Sequence, residues 1–98
     1  MSRIQFRPQV FLDLEDMWAT GAERWGEAQA DRYKADLDSL LFLLADTPRL
    51  GPERVARGTP VRIYPYRSHV ILYRELTGES GIEVMRIIHG RADLRRLS

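Results

Sequence analysis

The sequence predicts an α+β fold in two layers, with an antiparallel two-helix hairpin packed on a small, mostly antiparallel sheet in the order β-α-α-β-β-β. Three observations predict it. Apolar residues recur at helical spacing between Val10 and Leu44, they alternate with polar ones from Val61 onward, and only a short link around Gly26 separates two helical stretches.

Ile4 and Phe6 fall on one side of a short strand within residues 2–7. Pro8 ends that ladder, because it has no N–H to donate, and it suits the first turn of a helix. Val10, Leu14, Met17 and Trp18 then form one apolar stripe, with Asp13, Glu15, Asp16 and Glu23 at other positions. This helix is expected to end near Trp25 and Gly26, where glycine suits the left-handed cap. A second helix follows from Glu27 to about Asp46, with Ala30, Tyr33, Leu37, Leu40, Leu41 and Leu44 on one face, until Thr47-Pro48 stops it. Residues 49–59, rich in Gly, Pro and Arg, are expected to form a loop.

Three strands complete the sheet. Val61 and Ile63 alternate with Arg62 and Tyr64; Val70 and Leu72 with Ile71, Tyr73 and Glu75; Ile82, Val84 and Ile88 with Glu83, Met85 and Ile87. Arg67-Ser68 and residues 77–81 supply the turns. The expected core between the layers is Leu14, Met17, Trp18, Tyr33, Leu37, Leu40, Leu41 and Leu44. A short basic tail or helix ends the chain.

A chain of 98 residues with 44% hydrophobic content is one domain, residues 1–98, with a single core. It holds no cysteine, which excludes disulfides and thiolate metal sites. The N-terminus lacks the apolar stretch of a signal peptide, and the run from Leu40 to Ala45 falls far short of the ~20 residues a membrane-spanning helix needs. A cytoplasmic protein with no membrane association is expected.

Charge is divided unevenly. Residues 1–48 hold five Lys and Arg against nine acids, a net of −4, whereas residues 49–98 hold ten Arg against five acids, a net of +5. The C-terminal half therefore suits an acidic partner, either nucleic acid or an acidic protein segment, and Arg brings a planar fork matched to phosphate or carboxylate. Arg62, Tyr64, Tyr66, Arg67, His69, Tyr73, Arg74 and Arg86 fall on the strands or their turns. Part of this group is expected on the sheet face that the helices leave open, as a gripping surface or as a plain solvated face, according to register. His69 and His89 are the only histidines. His89 could pair with Asp93 for acid-base work or simply be hydrogen-bonded at a strand end. Two histidines without further convergent ligands make a poor metal site, so no metal and no cofactor are expected. Trp25 is either part of the core or a partner-binding residue. No P-loop, GxSxG or HExxH motif is present.

Four strings in this order resemble the ParE branch of the ParE/RelE superfamily of bacterial toxins across nearly the whole chain. They are Asp13-Leu14-x-x-Met17-Trp18, Pro48-Arg49-Leu50-Gly51, Ser68-His69-Val70-Ile71-x-Tyr73-Arg74 and Arg86-Ile87-Ile88-His89-Gly90-Arg91-x-Asp93. The resemblance implies the toxin of a type II toxin-antitoxin system, neutralised by a ParD-like antitoxin whose acidic segment folds on binding and whose other domain binds operator DNA. ParE-type members inhibit DNA gyrase and block replication; RelE-type members cut messenger RNA on the ribosome. Gly90 and Arg91 follow His89 where RNA-cutting members tend to place an aromatic residue, and a missing positioned acid or base costs about 10² to 10⁴ in rate. A non-enzymatic gyrase poison is therefore expected, with a ribonuclease built on His89, Arg86 and Tyr73, or a non-toxic binding module, as alternatives. Target binding is expected at Arg86, His89, Arg91, Asp93, Arg95 and Arg96, and antitoxin binding at Arg62, Tyr64, Arg67, His69, Arg74 and Trp25.

Overall fold

A computed structural model describes residues 2–90. The expected C-terminal tail or helix, with Arg91, Asp93, Arg95 and Arg96, lies outside the described residues. Strand β1 (Arg3–Phe6) leads into α1 (Pro8–Trp25) and α2 (Glu27–Asp46), and a single 3-10 turn (Pro48–Leu50) leads to β2 (Glu53–Ala56), β3 (Thr59–Tyr66), β4 (His69–Glu75) and β5 (Gly81–His89). The sheet runs β1-β5-β4-β3-β2, with β1 parallel to β5 and every other pair antiparallel.

The helices begin and end where their breakers stand. Pro8 opens α1, and Gly26 alone joins α1 to α2. Gly26 does not take the left-handed helical cap: its φ of 91° and ψ of 160° lie in a region essentially reserved for glycine, and this backbone turns the chain sharply enough for an antiparallel hairpin. Gly21 and Ala30 let the helices approach closely, since a Cβ added at Gly21 would lie 3.5 Å from that of Ala30.

Two features of the sheet correct the sequence expectation. Residues 53–56 are a strand rather than loop, paired in register with Thr59–Arg62, so the sheet has five strands and not four. Arg57 at φ 51° and Gly58 at φ 80° form the tight turn that returns the chain. The alternation in β5 is also broken. Leu72 pairs with Arg86 but Tyr73 pairs with Val84, which leaves Met85 as a bulge. The helix-facing set therefore changes parity from Ile82 and Val84 to Ile87, and Ile88 does not join Ile82 and Val84 as expected.

The core between the layers gathers Val10, Met17, Leu37, Leu41, Leu44, Tyr66, Ile71, Tyr73, Ile82, Val84 and Ile87. Leu14, Tyr33 and Leu40 pack against it half-buried. Trp18 departs from the expected core: it sits half-buried on the seam between the helices, where its indole N–H donates to Asp31 at 2.8 Å, because a Trp N–H needs a polar partner that the dry core does not provide. The other sheet face is apolar too, with Val61, Leu72 and Met85 clustered and Ala56 and Ile63 packed against them. Strand β4 is thus buried on both faces from Val70 to Tyr73.

Candidate functional site

Register decides which polar side chains meet. Arg62 lies opposite Tyr73, Tyr64 opposite Ile71, and Tyr66 opposite His69, so this whole set shares the helix-facing side of the sheet. Of the Arg/Tyr/His group, Arg86 and Arg74 take the opposite side by register, Arg86 standing opposite Leu72 and Arg74 pairing with Glu83 at 2.7 Å. Arg7 joins the same carboxylate at 3.3 Å. Burial raises the pKa of Glu83, but the hydrogen bond and charge of Arg74, with help from Arg7, outweigh it and hold the carboxyl below its usual value.

At one end of the helix-facing side, Arg62 donates to Gly51 O at 2.8 Å and pairs with Glu75 at 3.3 Å. Tyr73 lies fully buried beside it. Its hydroxyl donates to Pro48 O at 2.6 Å and accepts from Gly51 N at 2.9 Å, so both roles of the group are occupied by the loop after α2. Gly51 is required here, because a Cβ would collide with the Tyr73 hydroxyl. Burial raises the pKa of the Tyr73 phenol above its ordinary value.

The other end holds four rings in sequence. Tyr66, Tyr33, His69 and His89 meet edge to face with centroids 4.9, 5.7 and 5.0 Å apart. Tyr33 and His69 share a hydrogen bond of 2.9 Å between the phenol oxygen and Nδ1, and the Tyr66 hydroxyl donates to Tyr33 O at 2.6 Å. Arg67, in the tight turn at φ 53°, lies over both tyrosine rings and pairs with Asp36 at 3.1 Å. Burial lowers the pKa of His69, neighbouring His89 lowers it further, and Asp13 pulls it the other way. Burial also raises the pKa of Tyr33 and Tyr66.

Beside the histidines, α1 and the end of β5 are joined through Asp13. Its carboxylate accepts from Arg86 Nε at 2.9 Å and Nη2 at 3.0 Å, and from Ile87 N at 2.9 Å. Pairing with β1 reaches only Val84, so the Ile87 N–H is available to a side chain. Sequence reasoning placed Asp13 among the polar positions and missed this role. A signal was present, because Asp13 stands three residues after Val10 and four before Met17, within the apolar stripe.

An open cleft of about 320 Å³ lies between α1 and the paired ends of β4 and β5, lined by Asp13, Asp16, Thr20, Arg24, Arg86 and the two histidines among others. A smaller hollow of about 40 Å³ adjoins it beneath Trp25 and Tyr33. Trp25 is 59% exposed at the tip of the hairpin. The structure therefore brings His69, His89, Arg86 and Trp25 around neighbouring hollows and holds Arg62 and Tyr73 at the far end of the sheet. From His69 to Tyr73 is four residues along β4, about 13 Å at ~3.3 Å per residue. Among the described residues no group of three or more His, Cys, Asp or Glu is arranged to hold a metal ion.

Known proteins of the same kind share this frame. The profile of the family described as "ParE toxin of type II toxin-antitoxin system, parDE" matches residues 4–94. The chain is 34% identical over 95 residues to Toxin ParE1 of Mycobacterium tuberculosis (strain CDC 1551 / Oshkosh), covering 97% of this chain and 96% of that protein. It is 30% identical over 83 residues to Toxin ParE1 of Caulobacter vibrioides, covering 85% and 83%. A solved structure titled "Chromosomal ParDE TA system from P. aeruginosa" superposes with a TM-score of 0.75 at 17% identity, over 92% of this chain and 97% of that one, and so shares the fold. With a family profile spanning nearly its whole length and relatives at this level of identity, the chain belongs to the ParE family of toxins of type II toxin-antitoxin systems.

Proposed function

We propose that this toxin acts by binding, as a protein poison of DNA gyrase that blocks replication, and that a ParD-like antitoxin silences it by covering it with an acidic segment. The observation that carries this reading is the dispersal of the three side chains from which a ribonuclease would be built. The Tyr73 hydroxyl is fully occupied by Pro48 and Gly51, about 13 Å along the sheet from the histidine end. The Arg86 guanidinium is held in a two-pronged ion pair with Asp13, which offsets the charge a phosphate would need. His89 then stands without Tyr73 as an acid-base partner, and proton transfer in both directions needs two positioned groups.

The antitoxin contacts proposed are Arg62, Tyr64, Arg67, His69, Arg74 and Trp25. The target contacts proposed are Arg86 and His89, with Arg91, Asp93, Arg95 and Arg96 beyond the described residues. Both sets draw on the net +5 of the C-terminal half, which attracts an acidic surface. No helix among the described residues is long and apolar enough to cross a membrane, which fits a toxin acting in the cytoplasm on a soluble target.

Controlled expression in a bacterial host tests the reading. Growth arrest relieved by co-expression of the cognate antitoxin, with no new ends in messenger RNA by primer extension, is the expected result. Codon-positioned cuts that vanish in His89→Ala would overturn it in favour of a ribosome-dependent ribonuclease.

A further inference from the structure

We propose that the cleft between the C-terminal half of α1 and the paired ends of β4 and β5 is a proton-gated receptor for a carboxylate, with the His69–His89 pair as its gate and Arg24 as its permanent cation. When both imidazoles are neutral, the formal charges lining the cleft cancel, Arg24 and Arg86 against Asp13 and Asp16. Asp13 is already committed to Arg86 and to Ile87 N. Arg24 has no hydrogen-bond or ion-pair partner among the described residues, although it stands in the last turn of α1, where the helix dipole favours a cation.

Protonation of the pair gives the cleft two further positive charges. The rings meet with centroids 5.0 Å apart, and neither is hydrogen-bonded to a carboxylate among the described residues. Among the described residues α1 adds Asp13, which is committed to Arg86, and Asp16, which balances Arg24; α2 presents the neutral Tyr33 hydroxyl, and the turn before β4 adds Arg67 over the Tyr33 ring, its charge paired with Asp36 of α2. Two like charges at this distance oppose each other, so the second proton binds readily only when an anion accompanies it. Arg24 offers a planar fork matched to two carboxylate oxygens. The adjoining hollow, lined by Met17, Gly21, Ala30, Trp25 and Tyr33, takes the aliphatic stem that carries such a group. Identifying the carboxylate as an Asp or Glu of the antitoxin rests on the proposed function; the site itself does not.

Two histidines in the chain give two imidazole C2 proton resonances, which His89→Gln assigns. The test titrates both in the full chain by NMR, alone, with saturating sodium glutarate, and with inorganic phosphate. Glutarate is expected to raise the pKa of His69 by about one unit, a tenfold preference for the protonated imidazole, and Arg24→Gln is expected to remove most of that rise while lowering the thermal midpoint only slightly. An unchanged His69 pKa in glutarate, or an equal rise in Arg24→Gln, would overturn the site; a larger rise with phosphate would overturn its assignment to a carboxylate. Bound cognate antitoxin is expected to raise the same His69 value. Antitoxin that binds and leaves it unchanged would remove it as the source of the carboxylate, whereas failure of the antitoxin to bind at all would count against the proposed function and leave the glutarate result standing.

Discussion

Tyr73 shows how one hydroxyl can hold a loop and a helix end together. Replacing it with Phe leaves Pro48 O without its donor and Gly51 N without its acceptor. An unsatisfied buried pair of this kind costs about 1 to 3 kcal/mol, so the urea midpoint of Tyr73→Phe should fall accordingly, with growth arrest retained because the residue lies away from the proposed target contacts. Asp13 carries more. Asp13→Ala removes the carboxylate that holds the Arg86 guanidinium and leaves the Ile87 N–H without its acceptor, and because Arg86 is partly open to solvent the cost should lie near the low end of the range for broken buried pairs, about 3 kcal/mol. His69 adds a pH dependence whose sign follows from its lowered pKa. The folded protein binds this proton less readily than the unfolded chain, so the stability His69 contributes is present above the unfolded pKa of about 6.5 and is lost as pH falls below it. Thermal midpoints of the wild type should drop from pH 7.5 towards pH 5.5, and His69→Gln should flatten that slope. Glu83, whose carboxyl is held below its usual value, acts in a separate and more acidic window. Equal slopes in the wild type and His69→Gln would refute the assignment.

At the scale of elements, local breakers were readable and long-range register was not. Both helices run between residues the sequence marks plainly: Pro8, the lone Gly26, and Thr47 before Pro48. The core face of α2 was equally legible, and Leu37, Leu41 and Leu44 are buried on it. Leu37→Ala or Leu41→Ala should therefore cost about 2 to 5 kcal/mol, a loss that shifts the denaturation midpoint visibly in a domain of ~5 to 15 kcal/mol total stability; midpoints equal to the wild type would sink this core. Strand β2 escaped notice because Glu53-Arg54-Val55-Ala56 has no apolar alternation; it is an edge strand defined by its partner β3. The bulge at Met85 was hidden for the same reason, since only pairing with β4 reveals it. With unbroken alternation Arg86 would share the helix-facing set with Ile82 and Val84; the bulge instead brings Ile87 there and turns Arg86 to the side of Leu72, beyond the end of the β1 pairing at Val84, where its guanidinium reaches Asp13 at the open edge of β5. That pair joins residues 73 positions apart, a contact that no window along the chain can display.

At the scale of the whole molecule, part of the opposite charge of the two halves is spent between them. Arg67 reaches Asp36 and Arg86 reaches Asp13, each joining the sheet half to the helical half. The expected open basic face is correspondingly reduced, and the groups of the histidine end stand instead beside a cleft under the helical layer. Residues 91–98 add three further Arg against one Asp, and they are the proposed main contact with the target. Removing them should preserve the circular dichroism spectrum and antitoxin binding while abolishing growth arrest; arrest undiminished in the shortened chain would refute that role. The toxin is proposed to work by occupancy rather than turnover, and a titration against purified gyrase distinguishes the two. With gyrase held well above the dissociation constant, supercoiling should fall in proportion to the toxin-to-gyrase ratio, stay constant with time, and recover when antitoxin is added, while ribosome-bound messenger RNA in a parallel reaction stays whole. Undiminished supercoiling at excess toxin, together with messenger RNA cleavage that accumulates with time at substoichiometric toxin, would contradict it.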